Sequence, residues 1–436
     1  MISNFLFNPV LLSILALCIL CLFRVNVLLS IFVSSIFAGL VSKMDIETLM
    51  NTFISGMGGN SETALSYILL GAFAAAMTHT GLTNIIAQKI IKVVGKNPCV
   101  LFLIIGLIAM MSQNIIPIHI AFIPILIPAL LPVMNLLKID RRAIASILAF
   151  GLKTPYIAIP AGFGLIFHNL LADNMIQNGM LVQRSDIWKS TWVLAIGMLF
   201  ALFISVFITY RKPREYKELD VEEEHLATVK FNKKHLITII AAVVTFVVQI
   251  ITHSLPLGAL VGLGIIFSFG AVKHSKMDKL MDEGIYLMGY VAFVMLVASG
   301  FATVLKATGG IDALVGFITS ALPSSQILTA LIMLLFGLII TIGIGSSFGT
   351  IPILAVVFVP ICAHLGFNVS QTVILLAAAA ALGDAGSPAS DTTLGPTSGL
   401  NVDGQHNHIW DTCIPTFLHY NSALIIFALA GVVLFK

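Results

Sequence analysis

The sequence predicts an all-α polytopic membrane protein made of two inverted repeats, each with about five spans, a re-entrant helical hairpin and a broken helix. Three observations predict it. Apolar runs recur from end to end of a chain of 436 residues, of which 58% are hydrophobic and only 10% charged. A soluble domain has no use for that composition. The runs fall into two sets of seven, one on each side of a polar stretch at 211–234. Basic residues gather at alternate ends of successive runs, as they do in membrane proteins of fixed orientation.

The elements follow in order. The first, 6–23, starts without a basic leader and lacks a small-residue cleavage site before Arg24, so it reads as a retained span. The second, 25–42, ends at Ser42-Lys43-Met44-Asp45. The third, 64–79, gives way to a less apolar stretch at 82–96. The fourth and fifth, 98–112 and 114–137, meet at Ser112-Gln113-Asn114. The sixth, 143–172, is interrupted by Thr154-Pro155, and the seventh is 188–210. The second set runs 235–253, 255–272, 286–305, 326–343, 345–366, 370–396 and 411–435. Its sixth member is interrupted by Gly386-Ser387-Pro388.

Sparse identities support a duplication. Ser275-Lys276-Met277-Asp278 repeats the Ser-Lys-Met-Asp of 42–45. Pro124 and Pro132 match Pro352 and Pro360 at one offset of 228, and Pro155 matches Pro388 at 233. The expected organisation is a first membrane repeat at 1–210, a cytoplasmic linker at 211–234 and a second repeat at 235–436. With the N-terminus outside, 17 of the 23 basic residues fall on the cytoplasmic side. Seven crossings being odd, the second repeat is then upside down relative to the first.

The fourth and fifth elements begin and end on one side, so charge cannot tell full spans from a hairpin. Polar, glycine-rich sequence inside an apolar stretch is tolerated only where it faces protein or water. This favours re-entrant hairpins with tips at Ser112-Gln113-Asn114 and Ser346-Ser347, one entering from each side.

Those tips are the first candidate site. Ser112, Gln113, Asn114, Ser346, Ser347 and Thr350 bring hydroxyl and amide oxygens next to helix ends. Helix C-terminal carbonyls favour a cation and N-terminal N–H groups an anion. Small polar residues also serve simply to join helices. The broken helices are the second. A carboxylate at membrane depth costs about 2.5–3.5 kcal/mol on insertion scales, yet Asp384 and Asp391 sit in ALGDAGSPASDTTLG. Superposing Pro155 on Pro388 makes Lys153 and Asp384 near-equivalents that could meet at the centre as a buried pair. Such a pair serves as a proton-linked switch or as structure alone. Asp391 with Ser387, Ser390 and Thr392 supplies hard oxygens suited to Na+, or caps a half-helix. Asp384 and Asp391 are thus the possible Na+ ligands, and Lys153 and Thr154 from the first break join the candidate residues that bind substrate or ion.

Other clusters carry less. The five cysteines lie in or beside apolar segments and form no metal pattern. Asp403, His406, His408 and Asp411 read as a solvated loop, and His79, His119 and His168 as structural histidines. A net charge of +3 gives no reason to expect nucleic acid. No nucleotide loop or nucleophile elbow is present, so an enzyme is not expected. The implied protein is a secondary transporter in membrane lipid. It needs no cofactor, uses Na+ or H+ or both as coupling ion, and carries a small ion or an amino acid.

GDAGSPASDTTLGPTSGLNVDG at 383–404, with the paired element order of the whole chain, resembles the NhaC-like sodium/proton antiporter family of the ion transporter superfamily. GLKTPYIAIPAG is the weaker first-repeat counterpart. The resemblance implies a homodimer in a bacterial inner membrane, each protomer split into a scaffold and a moving part that holds both hairpins and both broken helices. It implies an elevator-like shift and Na+/H+ antiport. Lys153 departs from pure cation chemistry, because a fixed positive charge also suits a ligand carboxylate. Na+- or H+-coupled uptake of a small amino acid is the alternative.

Overall fold

A helix stands at each predicted element. The computed structural model describes residues 7–23, 25–82, 85, 97–114, 119–217, 231–252, 254–311, 313–314, 325–388 and 390–436, and over these it is helical with no strand. Most of the predicted linker, the lysines of 89–96 and Arg24 lie outside the described residues, as do the side chains of His119, Cys18 and Cys21. The first half comprises α1 (Pro9–Leu22), α2 (Val27–Val41), α3 (Ile46–Met57), α4 (Ser61–Thr80), α5 (Pro98–Asn114) and α6 (His119–Leu136). Next come α7 (Arg141–Ala158), α8 (Phe163–Gln177) and α9 (Trp188–Phe203), which runs on through a π turn to Thr209. The second half comprises α10 (Lys233–Thr252), α11 (Leu255–Ser268), α12 (Met277–Ala307), α13 (Gln326–Ile344), α14 (Ser347–His364), α15 (Val369–Ala381), α16 (Asp391–Leu400) and α17 (His408–Leu434). Among the described residues seven helices are long and apolar enough to cross a membrane, or eight if a bent pair counts as one span.

Burial sorts these helices. α14 and α15 are buried on nearly every side, so their sequences are apolar all round. α9, α10 and α17 turn large apolar side chains outward, among them Phe200, Phe203, Val243, Ile250 and Ile426. Those faces suit lipid. α4 packs along α12, where Gly71 and Gly284 let the two backbones approach closely.

Two departures from the sequence reading have clear causes. α3 was not expected, because it is amphipathic and buries only Leu49 and Phe53. Its start is nonetheless written in the chain, since Asp45 accepts a hydrogen bond from the Thr48 N–H at 2.8 Å. The first break also moves. α7 continues through Pro155, which costs the helix one bond, to the Gly151 carbonyl. The chain breaks four residues later, where Pro160 forces Ile159 into an extended conformation (φ −112°, ψ 116°). Gly162 then adopts φ +56°, and a Cβ there would collide with the Asn114 backbone. The break is thus built around the end of α5, and α8 leaves at 49° to α7. The second break lies where predicted. Gly383 takes φ +76°, Asp384–Gly386 form a single 3-10 turn, and Ser390 caps α16.

At the linker end of the bundle the loop 401–407 is mostly exposed, as expected, but Asp403, Gln405 and His406 tie it to the rest of the protein through a polar network. Arg141, the first residue of α7, is fully buried. Its guanidinium grips Asp403 through two bonds of 2.5 and 2.6 Å, and also bonds the Leu400 carbonyl and Asn135. The Tyr216 ring lies 4.1 Å from the Arg141 guanidinium, and Gln405 exchanges two bonds with the Lys217 backbone. The sequence hid this because the partners of the loop lie some 260 positions away along the chain.

His406 in that loop is buried, with Nε2 2.7 Å from the Thr412 hydroxyl. Burial pushes the imidazole down to about 4; Asp411 opposes this, and Arg141 and Arg214 add to it. The folded protein therefore resists a proton that the unfolded chain takes near its ordinary value of about 6.5. This contribution to stability is complete above that value and is lost as pH falls toward 4. Melting temperatures of purified protein should drop between pH 7 and pH 5 more steeply than those of His406→Gln. Equal slopes would contradict this reading.

Candidate functional site

Four ends of chain converge near the middle of the bundle: the C-terminus of α13, the N-termini of α14 and α16, and the 3-10 turn of the second break. α7 passes beside them and presents Lys153. Lys153 is fully buried, and its Nζ lies 2.7 Å from Asp384 Oδ2. The Ser347 hydroxyl donates to the same oxygen at 2.5 Å, and the Tyr156 hydroxyl lies 3.2 Å from it. Ser390 donates to the other oxygen, Oδ1. Both Asp384 oxygens are therefore occupied by a cation and hydroxyls from four separate positions. A buried carboxylate needs such partners to remain charged in a low-dielectric setting.

Asp391 differs. It opens α16, directly after the Ser390 cap, where the free N–H groups of a helix start favour an anion. Its side chain makes no hydrogen bond or ion pair with the described residues. Asp391 is exposed, and it lines a cavity of about 40 Å³. Gln113, Ser346, Ser347, Asp384 and Thr392 line that cavity too. Gln113 donates its amide N–H to the Leu152 carbonyl, and its buried side-chain oxygen has no partner among the described residues. A carboxylate and a free amide oxygen on the wall of one small cavity make a hard-oxygen environment.

The remaining predicted residues turn elsewhere. Ser112 and Thr350 donate to backbone carbonyls of their own helix or its cap, Ala109 and Ser346. Thr154 reaches the Met198 sulfur at 3.5 Å. Asn114 donates to the Pro155 and Ile159 carbonyls, binding the tip of α5 to the first break. Ser387 donates to the Ile342 carbonyl at 3.1 Å and so ties the second break to α13. Sequence reasoning missed Tyr67, Tyr156, Phe163, Met288 and Phe348, which complete the cavity wall. Tyr156 could have been noticed, as a hydroxyl one turn beyond Lys153. The others look like ordinary apolar span residues.

Charges and helix breaks at the centre of an all-helical membrane bundle define a secondary transporter. Known proteins agree. The profile of the Na+/H+ antiporter family matches residues 147–432, and that of a second Na+-H+ antiporter family matches 8–94. The chain belongs to the Na+/H+ antiporter family. It is 45% identical over 434 residues to an uncharacterized membrane protein of Vibrio parahaemolyticus, covering 96% of this chain and 98% of the other. It is 44% identical over 436 residues to the putative amino acid transporter YuiF of Bacillus subtilis, with the same coverage. The solved structure of the Alcanivorax borkumensis YdaH transporter shares the fold at 14% identity, with a TM-score of 0.62 over 98% of each chain.

Proposed function

We propose that this protein exchanges Na+ for H+ across a bacterial cytoplasmic membrane, and that Asp391 is the group that exchanges them. The observation that carries the reading is the contrast between the two aspartates. Asp384 is saturated by Lys153 and three hydroxyls, whereas Asp391 faces the cavity without a partner. Lys153, Asp384 and Asp391 together bear one net negative charge. One Na+ or one H+ on Asp391 neutralises it, so the two compete for one place and exchange one for one. Lys153 holds Asp384 in its position, and Asp384 with Ser347, Ser390 and Thr392 fixes the start of α16. Gln113 offers the neutral oxygen ligand.

The finer expectations belong to this reading. The linker end faces the cytoplasm, α5–α6 and α13–α14 act as hairpins, and the repeats are inverted. A homodimer holds the scaffold still while the part carrying α7 and α16 shifts between the two sides.

Coupled amino-acid uptake is the second reading. Lys153 and the name given to the Bacillus subtilis relative favour it. Cavity size favours the ion. At about 10–15 Å³ for one water, the space of about 40 Å³ beside Asp391 holds about three waters or an ion with part of its shell. Proteoliposomes with an inward Na+ gradient and a panel of labelled amino acids separate the readings. We expect no gradient-driven accumulation of any of them, and accumulation of one would establish the second reading.

A further inference from the structure

A second, larger cavity lies at the end of the bundle opposite the linker. Its volume is about 360 Å³, and Glu62, Ser66, Ile166, Asn169, Asp173 and Arg184 are on its wall. Arg184 and Asp173 hold each other through two bonds of 2.8 and 2.9 Å, whereas the exposed Glu62 carboxylate has no ion-pair partner among the described residues. Asn169 is only 9% exposed, and its amide makes no hydrogen bond with the described residues. Its polar atoms are not sealed from solvent, so they are open to water or a ligand in the cavity. The net charge of this chamber is negative, and it is roomy enough for a hydrated monovalent cation.

The same two helices line both cavities. On α4, Ser66 faces the large chamber and its neighbour Tyr67 the Asp391 cavity. On α8, Ile166 faces the chamber and Phe163, one turn earlier, the cavity. What separates them is therefore about one helical turn of side chains, and these are aromatic rings. Tyr67 meets Phe163 at 5.3 Å with tilted planes and Phe348 edge to face at 5.8 Å, and Phe163 meets Phe348 at 6.3 Å. Tyr156 and Phe167 close the cluster behind Phe348, at 5.1 and 5.8 Å. Phe348 also follows Ser347, the residue bonded to Asp384, so the rings are joined to the charged centre through one backbone step.

We propose that Tyr67, Phe163 and Phe348 form a gate between the ion cavity and this chamber, and that the chamber is a cation antechamber on the side opposite the linker. An ion leaving Asp391 toward that side passes between the rings and is collected by Glu62 and Asn169. The rings shut the path here because their edges and faces are in contact, leaving no polar lining for water. The inference rests on reading the Asp391 cavity as the ion site. Its test reads access and not transport, so it fails or succeeds separately from that reading.

In a cysteine-free full-length background, place Thr63→Cys, at a half-buried position on the chamber wall, or Asp391→Cys. Add a membrane-impermeant cationic thiosulfonate from the side opposite the linker, using membrane vesicles of each orientation. With the rings intact, the Thr63→Cys protein should react and the Asp391→Cys protein should not. Truncating Tyr67, Phe163 or Phe348 to Ala, each separately, should make Asp391→Cys react about tenfold faster from that side, as expected when a closed state loses ring–ring contacts of ordinary strength. Tyr67→Phe, which keeps the ring, should leave it slow. Reaction of Thr63→Cys in each truncated protein confirms that the chamber is still formed. The proposal is overturned if position 391 reacts as fast as position 63 with the rings intact. It is equally overturned if no truncation that preserves reaction at position 63 accelerates reaction at position 391.

Discussion

Asp391→Asn should give a folded protein that no longer moves Na+ or H+ in response to the other. The side chain makes no hydrogen bond or ion pair with the described residues, so no fixed contact is lost by the change. Its melting temperature should change little, because the exposed carboxylate has no partner among the described residues to lose. Flux should fall to that of empty liposomes, since the neutral amide can neither release a proton nor balance a sodium ion. Asp391→Glu should retain a measurable rate with a changed Na+ affinity, because the charge remains while its reach changes. Normal exchange by a folded Asp391→Asn protein would remove this residue from the mechanism.

Breaking the central pair should do the opposite and act first on stability. Lys153→Met leaves Asp384 buried with hydroxyls alone, and Asp384→Met leaves Lys153 buried beside a serine and a tyrosine. Each should destabilise by about 3–5 kcal/mol, the usual penalty for orphaning one member of a buried pair. The double change Lys153→Met with Asp384→Met should recover most of that loss, because two apolar side chains of similar size no longer need each other. Chemical denaturation or thermal melts in one detergent check this. Two single variants as stable as the parent would mean that the pair does not hold the core in the way its 2.7 Å contact implies.

The chain announced much of this architecture. Composition and spacing gave the apolar elements, and matched prolines brought Lys153 and Asp384 together before any coordinates did. The second break was legible from Gly386-Ser387-Pro388, whereas α3 was not expected although Asp45 caps its start. The division of labour between the aspartates was not. It depends on Ser347, Tyr156 and Lys153 arriving from other helices to occupy Asp384 and not Asp391, seven residues away. The first break was placed at the wrong proline for a related reason. Pro155 and Pro160 each lack an N–H, but only Pro160 is followed by a glycine that turns the chain over the Asn114 backbone. Ring clusters and the loop network were hidden because an aromatic in an apolar span, or a polar loop between spans, carries no local mark of its partner.

The central claim is competition between Na+ and H+ for one carboxylate, and exchange in proteoliposomes tests it most directly. Purified protein is reconstituted with a pH-sensitive dye trapped inside, no amino acid is present, and Na+ is added outside. The account predicts immediate internal alkalinisation as H+ leaves in exchange for entering Na+, at a rate unaffected by membrane potential and absent in Asp391→Asn. Internal pH that stays constant while the same vesicles take up labelled Na+ would contradict it.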